Sequence, residues 1–250
     1  RVEVDERKAD PLDFALWKAS RPGEPAWPSP WGPGRPGWHI ECTAMSIKHL
    51  GESFDIHGGG ADLIFPHHEN EIAQSEAYSG RKFVNYWLHG EHLLVEGKRM
   101  AKRYGNYYTL RDLLGKGYDP MAVRYLILST HYRQQFNFTF EGLAASKNAL
   151  ERLTNFVRRL SEVSGSGSGE VKQLMLKVSK DFGEAMDDDL NIGQAVAALF
   201  EFVRDVNNLV DSGRLSRSEA EEVRGLMVAF DKVLGVIGEV KAEEGLSPEA

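Results

Sequence analysis

The stretch FDIHGGGADLIFPHHENEIAQSEAYSG, residues 54–80, leaves its backbone few choices. SFDIH at 53–57 reads as a short strand, and Gly58, Gly59 and Gly60 are expected to break it sharply. Pro66 suits the first turn of a helix, where its missing N–H costs nothing, so a helix is predicted from there to Gly80. Upstream, WHIECTAMSIKHL (38–50) predicts a helix stopped by Gly51 as a left-handed cap. Downstream, YWLHGEHLLV (86–95) is strand-like, with a turn near Gly90. Strands alternating with helices predict an α/β domain on a parallel sheet.

The flanks differ from this middle. Residues 1–36 are rich in proline, glycine and tryptophan, which predicts irregular, tightly turned chain in which Trp27 and Trp31 find packing partners. Beyond Thr109 the pattern turns helical, in LRDLLGKG and PMAVRYLILS, and then from Gly142 to Val163, where Leu143, Leu150, Leu153, Phe156, Val157 and Leu160 fall on one face. SGSGSG (164–169) reads as a flexible loop, and amphipathic helices are predicted within 170–190, 192–211 and 216–238. The fold class is therefore α/β followed by all-α.

Charge sharpens that division. The net charge of -7 argues against a generic nucleic-acid binder, but residues 1–150 balance at 18 acidic and 18 basic, and the whole excess lies in 151–250. All eight histidines, all five tryptophans and the single cysteine precede residue 151, so chemistry is expected in the first part and a helical accessory region in the second. One cysteine makes no internal disulfide, which suggests a reducing cytoplasm. No apolar run approaches the roughly 18 residues of a membrane span, so no membrane partner is expected. The start at Arg1, in charged sequence and without methionine, reads as a start inside a longer polypeptide.

Three groups of residues carry candidate chemistry. Cys42 sits mid-helix, and His67 and Glu71 stand at i and i+4 on one helical face, so a thiolate, an imidazole and a carboxylate could reach one zinc ion. Taken singly, each has a plainer role: a lone cysteine packs as a small hydrophobe and a His/Glu pair is often a solvated face. His68 is an alternative to His67, because periodicity does not separate neighbours. The HGGGAD turn would let backbone approach a ligand, with Asp62 accepting from ribose hydroxyls. GKRMAKRYGN gathers Lys98, Arg99, Lys102 and Arg103 in a loop suited to clamp polyphosphate.

Together, GRPGWHIECTAM (34–45), residues 54–77, GKRMAKRYGNYYTLRDLL (97–114) and DDDLNIGQAVAALFE (187–201) closely resemble the cysteinyl-tRNA synthetase family of class I aminoacyl-tRNA synthetases. The resemblance implies the second part of a Rossmann-type catalytic domain with a zinc site (1–92), a signature loop and tRNA stem-contact region (93–148), and a helical tRNA-binding bundle (149–250). It implies that Cys42, His67 and Glu71 are three of four zinc ligands, the fourth being a cysteine outside this sequence. Zinc would select a substrate thiolate over the hydroxyl of serine. Trp38 would pack beside the amino acid, and His39 would support a ligand or wall the pocket. Gly59, Gly60 and Asp62 would contact ATP, bound with Mg2+.

The loop corresponds to the family's KMSKS signature but reads Arg99, Met100, Ala101, Lys102, Arg103, with Lys102 the catalytic lysine on the leaving pyrophosphate. Arg99 keeps charge with altered geometry, and Ala101 and Arg103 replace two serines. Arg111, Arg124 and Arg133 would contact tRNA backbone. The family's HIGH-bearing N-terminal half and its anticodon domain are not in the sequence, so completion by the missing half in trans is expected to be needed for activity. HGEH (89–92) is only a passing likeness to HIGH. The implied partners are L-cysteine, ATP and the tRNA for cysteine. The alternatives are the related ligase that joins cysteine to an amino sugar in mycothiol synthesis, and an inactive zinc- or RNA-binding module.

Overall fold

A computed structural model of the chain describes residues 8–237; the ends of the predicted outer ranges, including the last residue of the 216–238 helix, lie outside them. The chain divides into two compact units, Arg1–Glu91 and His92–Ala250.

In the first unit, β1 (Trp17–Ala19) pairs antiparallel with β2 (Gly34–Pro36), a ribbon that the Pro/Gly composition concealed. A Cβ at Gly34 would meet the Trp17 indole, so glycine is what lets Trp17 lie across the ribbon. Trp27 and Trp31 do not find the expected partners: they are 54% and 81% exposed. Backbone bonds do the work instead, with Trp27 and Gly34 exchanging N–H···O contacts of 2.8 and 3.0 Å.

Helix α1 (Trp38–Leu50) forms where predicted, and the Gly51 amide closes it onto the Ile47 carbonyl at φ +92°. The next strand corrects the sequence reading. β3 (Phe54–Gly60) runs through all three glycines, which pair with Leu88, His89 and Gly90 of β4 (Val84–Gly90) in a parallel ladder. Glycine here clears space beside a strand rather than ending it, because the backbone stays extended. The helix start is corrected too. Phe65 is extended (φ −134°, ψ 132°), as a residue before proline prefers, and Phe65–Pro66 is cis. Residues 64–68 form a wide π-type turn, and regular helix α2 (Glu69–Ser79) begins only after it. The β3–α2–β4 crossover is the parallel α/β unit that the alternation predicted.

Helices α1 and α2 meet through polar groups: buried Thr43 donates to Gln74 at 2.9 Å and Ser75 donates to Thr43 at 3.3 Å. That contact fixes the rotation of both helices, and it sets Cys42 and Glu71, each adjacent in sequence or one turn away, on their shared side. Behind the sheet, Phe83 is fully buried against Phe54, edge to face at 5.0 Å.

The strand-like run 86–95 is divided, since β5 (Leu94–Val95) belongs to the second unit. There it pairs antiparallel with β6 (Lys98–Arg99) and parallel with β7 (Asn137–Phe138). Glu96 and Gly97, at φ +50° and +72°, make the two-residue turn that a tight hairpin demands. Helices α3 (Leu110–Gly115), α4 (Pro120–Leu128), α5 (Phe140–Leu160), α6 (Val171–Asp187), α7 (Ile192–Asp211) and α8 (Arg217–Leu234) follow. The six apolar residues predicted for one face of α5 are all buried. The SGSGSG loop is pinned rather than loose: Gly165 bridges to Ser216, and the Gly169 amide donates to Glu219 at 2.9 Å. No helix among the described residues is long and apolar enough to cross a membrane.

Candidate functional site

Side chains from α1, β3, the π-type turn, α2 and β4 converge on one cluster in the first unit. Its centre is Glu71, whose side chain has no exposed surface. Both carboxylate oxygens are buried without a well-aligned hydrogen-bond donor. His67 Nε2 lies 2.6 Å from Oε1 and His57 Nε2 lies 3.4 Å from Oε2. Cys42, His67 and Glu71 offer ligand atoms within 4.8 Å of one another, and so do His57, His68 and Glu71. Both histidines weighed at the sequence level are therefore at the cluster, with His67 grouped with the cysteine.

A buried carboxylate that lacks donors is held above its ordinary range. Burial raises the Glu71 pKa to about 7, with the Cys42 thiol opposing the rise. Burial also raises the Cys42 thiol, helped by Glu71, and lowers His39, His57 and His67. His68 is lowered to about 4, by burial first and then by His57 and His89. Each of these groups is thus pushed toward its neutral form by burial. A divalent cation would offset that burial: thiolate, imidazole and one carboxylate are a zinc-type donor set, and neither Glu71 oxygen has a well-aligned donor.

The surroundings orient the donors. His67 Nδ1 is 2.7 Å from His39 Nδ1, which leaves Nε2 aimed at Glu71. Such a bond on the far nitrogen fixes which nitrogen can bind a metal. Trp38, 62% exposed, covers His67 with ring centroids 4.8 Å apart and stacks on His39 at 5.7 Å. His68 Nδ1 is bonded to His89 Nε2 at 2.8 Å. A Cβ on Gly59 would stand 2.7 Å from His68 Cε1, so the glycine makes room for this imidazole. A Cβ on Gly60 would fall on the Asp62 carboxylate, so Gly60 lets Asp62 fold back over the strand end.

Sequence reading missed three members of the cluster, His57, Trp87 and His89. Trp87 stacks on His57 at 4.7 Å, and the β3–β4 register sets His57 beside Trp87 and Gly59 beside His89. The signal was available in the alternation of Trp87 and His89 along β4, two residues apart on one face.

The basic turn lies in the second unit. Lys102, Arg103 and Tyr104 form a single 3₁₀ turn closed by Gly105 at φ +66°. Lys102 Nζ sits 5.5 Å over the Tyr107 ring and Arg103 sits 4.7 Å over Tyr104, both exposed to solvent. Of the three arginines assigned to RNA, Arg111 is exposed in the first turn of α3. Arg124 Nε donates to the Leu234 carbonyl at 2.7 Å, tying α4 to the end of α8. Arg133 pairs with Asp189 at 2.8 Å and lies over Tyr132.

Residues 1–148 match the family model described as tRNA synthetases class I (C) catalytic domain, and residues 181–238 match the DALR domain. Among curated proteins, the chain is similar to the cysteine–tRNA ligase of Carboxydothermus hydrogenoformans, 51% identical over 239 residues, covering 94% of this chain and 51% of the relative. The Protochlamydia amoebophila ligase is 52% identical over 251 residues, covering 98% and 52%, and that of Ectopseudomonas mendocina is 50% identical over 250 residues, covering 100% and 50%. The chain spans about half the length of the curated relatives it matches. Among solved structures, the LeuRS of a LeuRS–tRNA–LeuAMS ternary complex from Agrobacterium radiobacter K84 matches with a TM-score of 0.60 at 14% identity, over 85% of this chain and 32% of that one. This last likeness concerns the fold alone.

Proposed function

We propose that this chain, which belongs to the class I (C) tRNA synthetase catalytic-domain family, is the zinc-site and signature-turn portion of an enzyme that attaches L-cysteine to its tRNA through a cysteinyl-adenylate. The observation that carries the reading is the buried carboxylate of Glu71, without a well-aligned donor, grouped with Cys42 and His67. The cysteine–tRNA ligase relatives support the choice of reaction. The DALR match favours a tRNA as acceptor over an amino sugar, which requires no RNA-binding bundle.

In this reading Cys42, His67 and Glu71 hold zinc, with His39 fixing the His67 ring and Trp38 walling the amino-acid pocket. Bound there, zinc supplies a soft Lewis-acid site that favours a substrate thiolate over a hydroxyl. Gly59, Gly60 and Asp62 line the approach of the adenosine of ATP. The cysteine carboxylate attacks the α-phosphorus, forming the mixed anhydride and releasing pyrophosphate. Lys102 offsets the negative charge that gathers on the leaving phosphates, an interaction stronger in the transition state than in the ground state. A terminal ribose hydroxyl of the tRNA then attacks the adenylate carbonyl and AMP leaves. Arg111 offers its guanidinium to RNA backbone, with Arg124 and Arg133 as further contacts whose bonds to Leu234 and Asp189 hold them in place.

The test has two arms. Atomic emission on the purified chain is expected to find about one zinc, lost in the Cys42→Ala, His67→Ala double variant. Adding the remaining half of a curated relative is expected to restore cysteine-dependent exchange of pyrophosphate into ATP. A folded chain that binds no zinc with that half present, or a pair that exchanges pyrophosphate equally well with serine, would overturn the reading.

A further inference from the structure

Asn106, the last residue of the basic segment, holds its turn shut. The Asn106 side-chain oxygen accepts from the Ala101 amide at 2.9 Å, while its nitrogen donates to the Arg99 carbonyl at 3.1 Å and reaches the Val95 carbonyl at 3.5 Å. A single carboxamide thus joins the end of β5, the end of β6 and the residue that precedes Lys102. We infer that Asn106 is a positioning residue that latches this turn and sets where Lys102 stands during phosphate chemistry, an inference that rests on the reading of Lys102 given above.

The chemistry of the latch selects asparagine. It needs one acceptor and two N–H donors on the same short side chain. Aspartate would keep the acceptor but direct negative charge at two carbonyl oxygens. Glutamine would carry the amide one methylene too far. Gly105 completes the device, because its left-handed φ of +66° turns the chain back so that Asn106 faces the hairpin. On the other side of the turn, Met100 packs against the core and lines an apolar cavity of about 520 Å³ with Val95, Tyr108, Leu113 and Phe138. Lys102 therefore rides on a segment anchored by Met100 before it and Asn106 after it. The Lys102 carbonyl accepts from the Gly105 amide at 3.1 Å, while its ammonium stays exposed and has no hydrogen-bond partner among the described residues, so its location is inherited from the turn and those two anchors. Orientation held in advance is worth large factors in rate where charge must be met at a defined point.

The inference is tested first on the 250-residue chain. In Asn106→Ala the Ala101 amide is expected to exchange its hydrogen about tenfold faster or more, and trypsin to cut after Lys102 or Arg103 at least about tenfold faster, while exchange in α5–α8 is unchanged. Gly105→Ala, which strains the turn but leaves the carboxamide in place, is expected to move both readouts in the same direction. With the remaining half of the Carboxydothermus hydrogenoformans ligase supplied, Asn106→Ala should lower kcat for pyrophosphate exchange by about 10- to 100-fold, with the KM for cysteine within about twofold. Asn106→Asp should fare no better than alanine. An Ala101 amide that exchanges at the wild-type rate, or a kcat left unchanged by the loss of the latch, would overturn the inference. A wild-type pair with no exchange activity counts against the proposed function, whereas the Ala101 amide still decides the latch.

Discussion

His67 Nε2 and Glu71 Oε1 stand 2.6 Å apart across one helical turn, and the contact is made at the seam between the π-type turn and α2 rather than along a continuous helix. The carboxylate gains no well-aligned donor from it, and burial holds its pKa near 7. The first prediction concerns that uncompensated charge. With a raised carboxylate pKa, the folded chain keeps the proton longer than the unfolded chain does. Its contribution to stability is therefore complete below pH 4.5 and is lost as pH rises to about 7, on the order of 3 kcal/mol in all. His68, lowered to about 4, works in the opposite sense between about 4 and 6.5, and the lowered His39, His57 and His67 act in the same direction as His68, masking the Glu71 loss below pH 6.5. Above pH 6.5 the Glu71 loss stands alone. Glu71→Gln should consequently stabilise the metal-free chain at pH 8 and much less at pH 5, measured by urea unfolding after chelation. Zinc should invert the ranking, raising the Tm of the wild type and not of the variant.

The glycines make a second prediction, a contrast within one strand. A Cβ at Gly59 would lie 2.7 Å from His68 Cε1, whereas one at Gly58 would meet only the Leu88 carbonyl at 3.5 Å. Gly59→Ala should therefore displace His68 from its bond to His89 and cost about 1–3 kcal/mol. Gly58→Ala has ordinary contact distances and an extended backbone, and should be neutral or stabilising by a few tenths of a kcal/mol. Thermal unfolding of the two variants side by side decides this. Equal losses would mean that the steric reading of Gly59 is wrong.

Legibility in the sequence followed the range of the forces involved. Helices α5 to α8 declare themselves because one apolar face buries at a fixed period, and the six residues read for α5 are the ones that pack. The parallel β3–β4 pair is readable for a similar reason, through alternation of element types. Cys42, His67 and Glu71 are brought together as expected, since an i,i+4 pair and a mid-helix cysteine need only one helix–helix contact to meet. What failed depended on neighbours distant in sequence. Glycines at 58–60 looked like a break, because nothing local reveals the β4 strand they pair with or the His68 ring that needs the space at Gly59. Trp27 and Trp31 looked like core, because composition cannot show that the turns around them close by backbone bonds. SGSGSG looked loose until Gly169 found Glu219, fifty residues on.

Lys102 carries the third prediction. Its ammonium is exposed and stands over Tyr107, so replacing it should leave the fold intact. In the reconstituted pair, Lys102→Ala should lower pyrophosphate exchange by about 100-fold or more, the size of effect seen when one electrostatic donor to a developing charge is removed. Lys102→Arg should recover only part of it, because a planar guanidinium does not occupy the place of a compact ammonium. A variant with unchanged exchange would remove Lys102 from the reaction.

Glu219 supports the last prediction. Its carboxylate accepts from the Ser216 amide at 2.8 Å and from the Gly169 amide at 2.9 Å, while Ser216 caps the Glu219 amide in return. One side chain thus starts α8 and holds the loop that precedes α6. The backbone bond to Ser216, with smaller help from Gly169, keeps the Glu219 pKa below its ordinary value of 4.5. A lowered carboxylate pKa gives stability that is present above the unfolded value and is lost as pH falls through the folded one. Glu219→Ala should therefore cost about 1–2 kcal/mol at pH 7, the upper range for a helix cap with one added bond. The gap between wild type and variant should close as the pH is lowered through the carboxylate range, because protonation undoes in the wild type what the substitution removes. Urea unfolding at pH 7 and pH 3.5 tests this, and a gap that stayed constant would show that α8 is held by its apolar face alone.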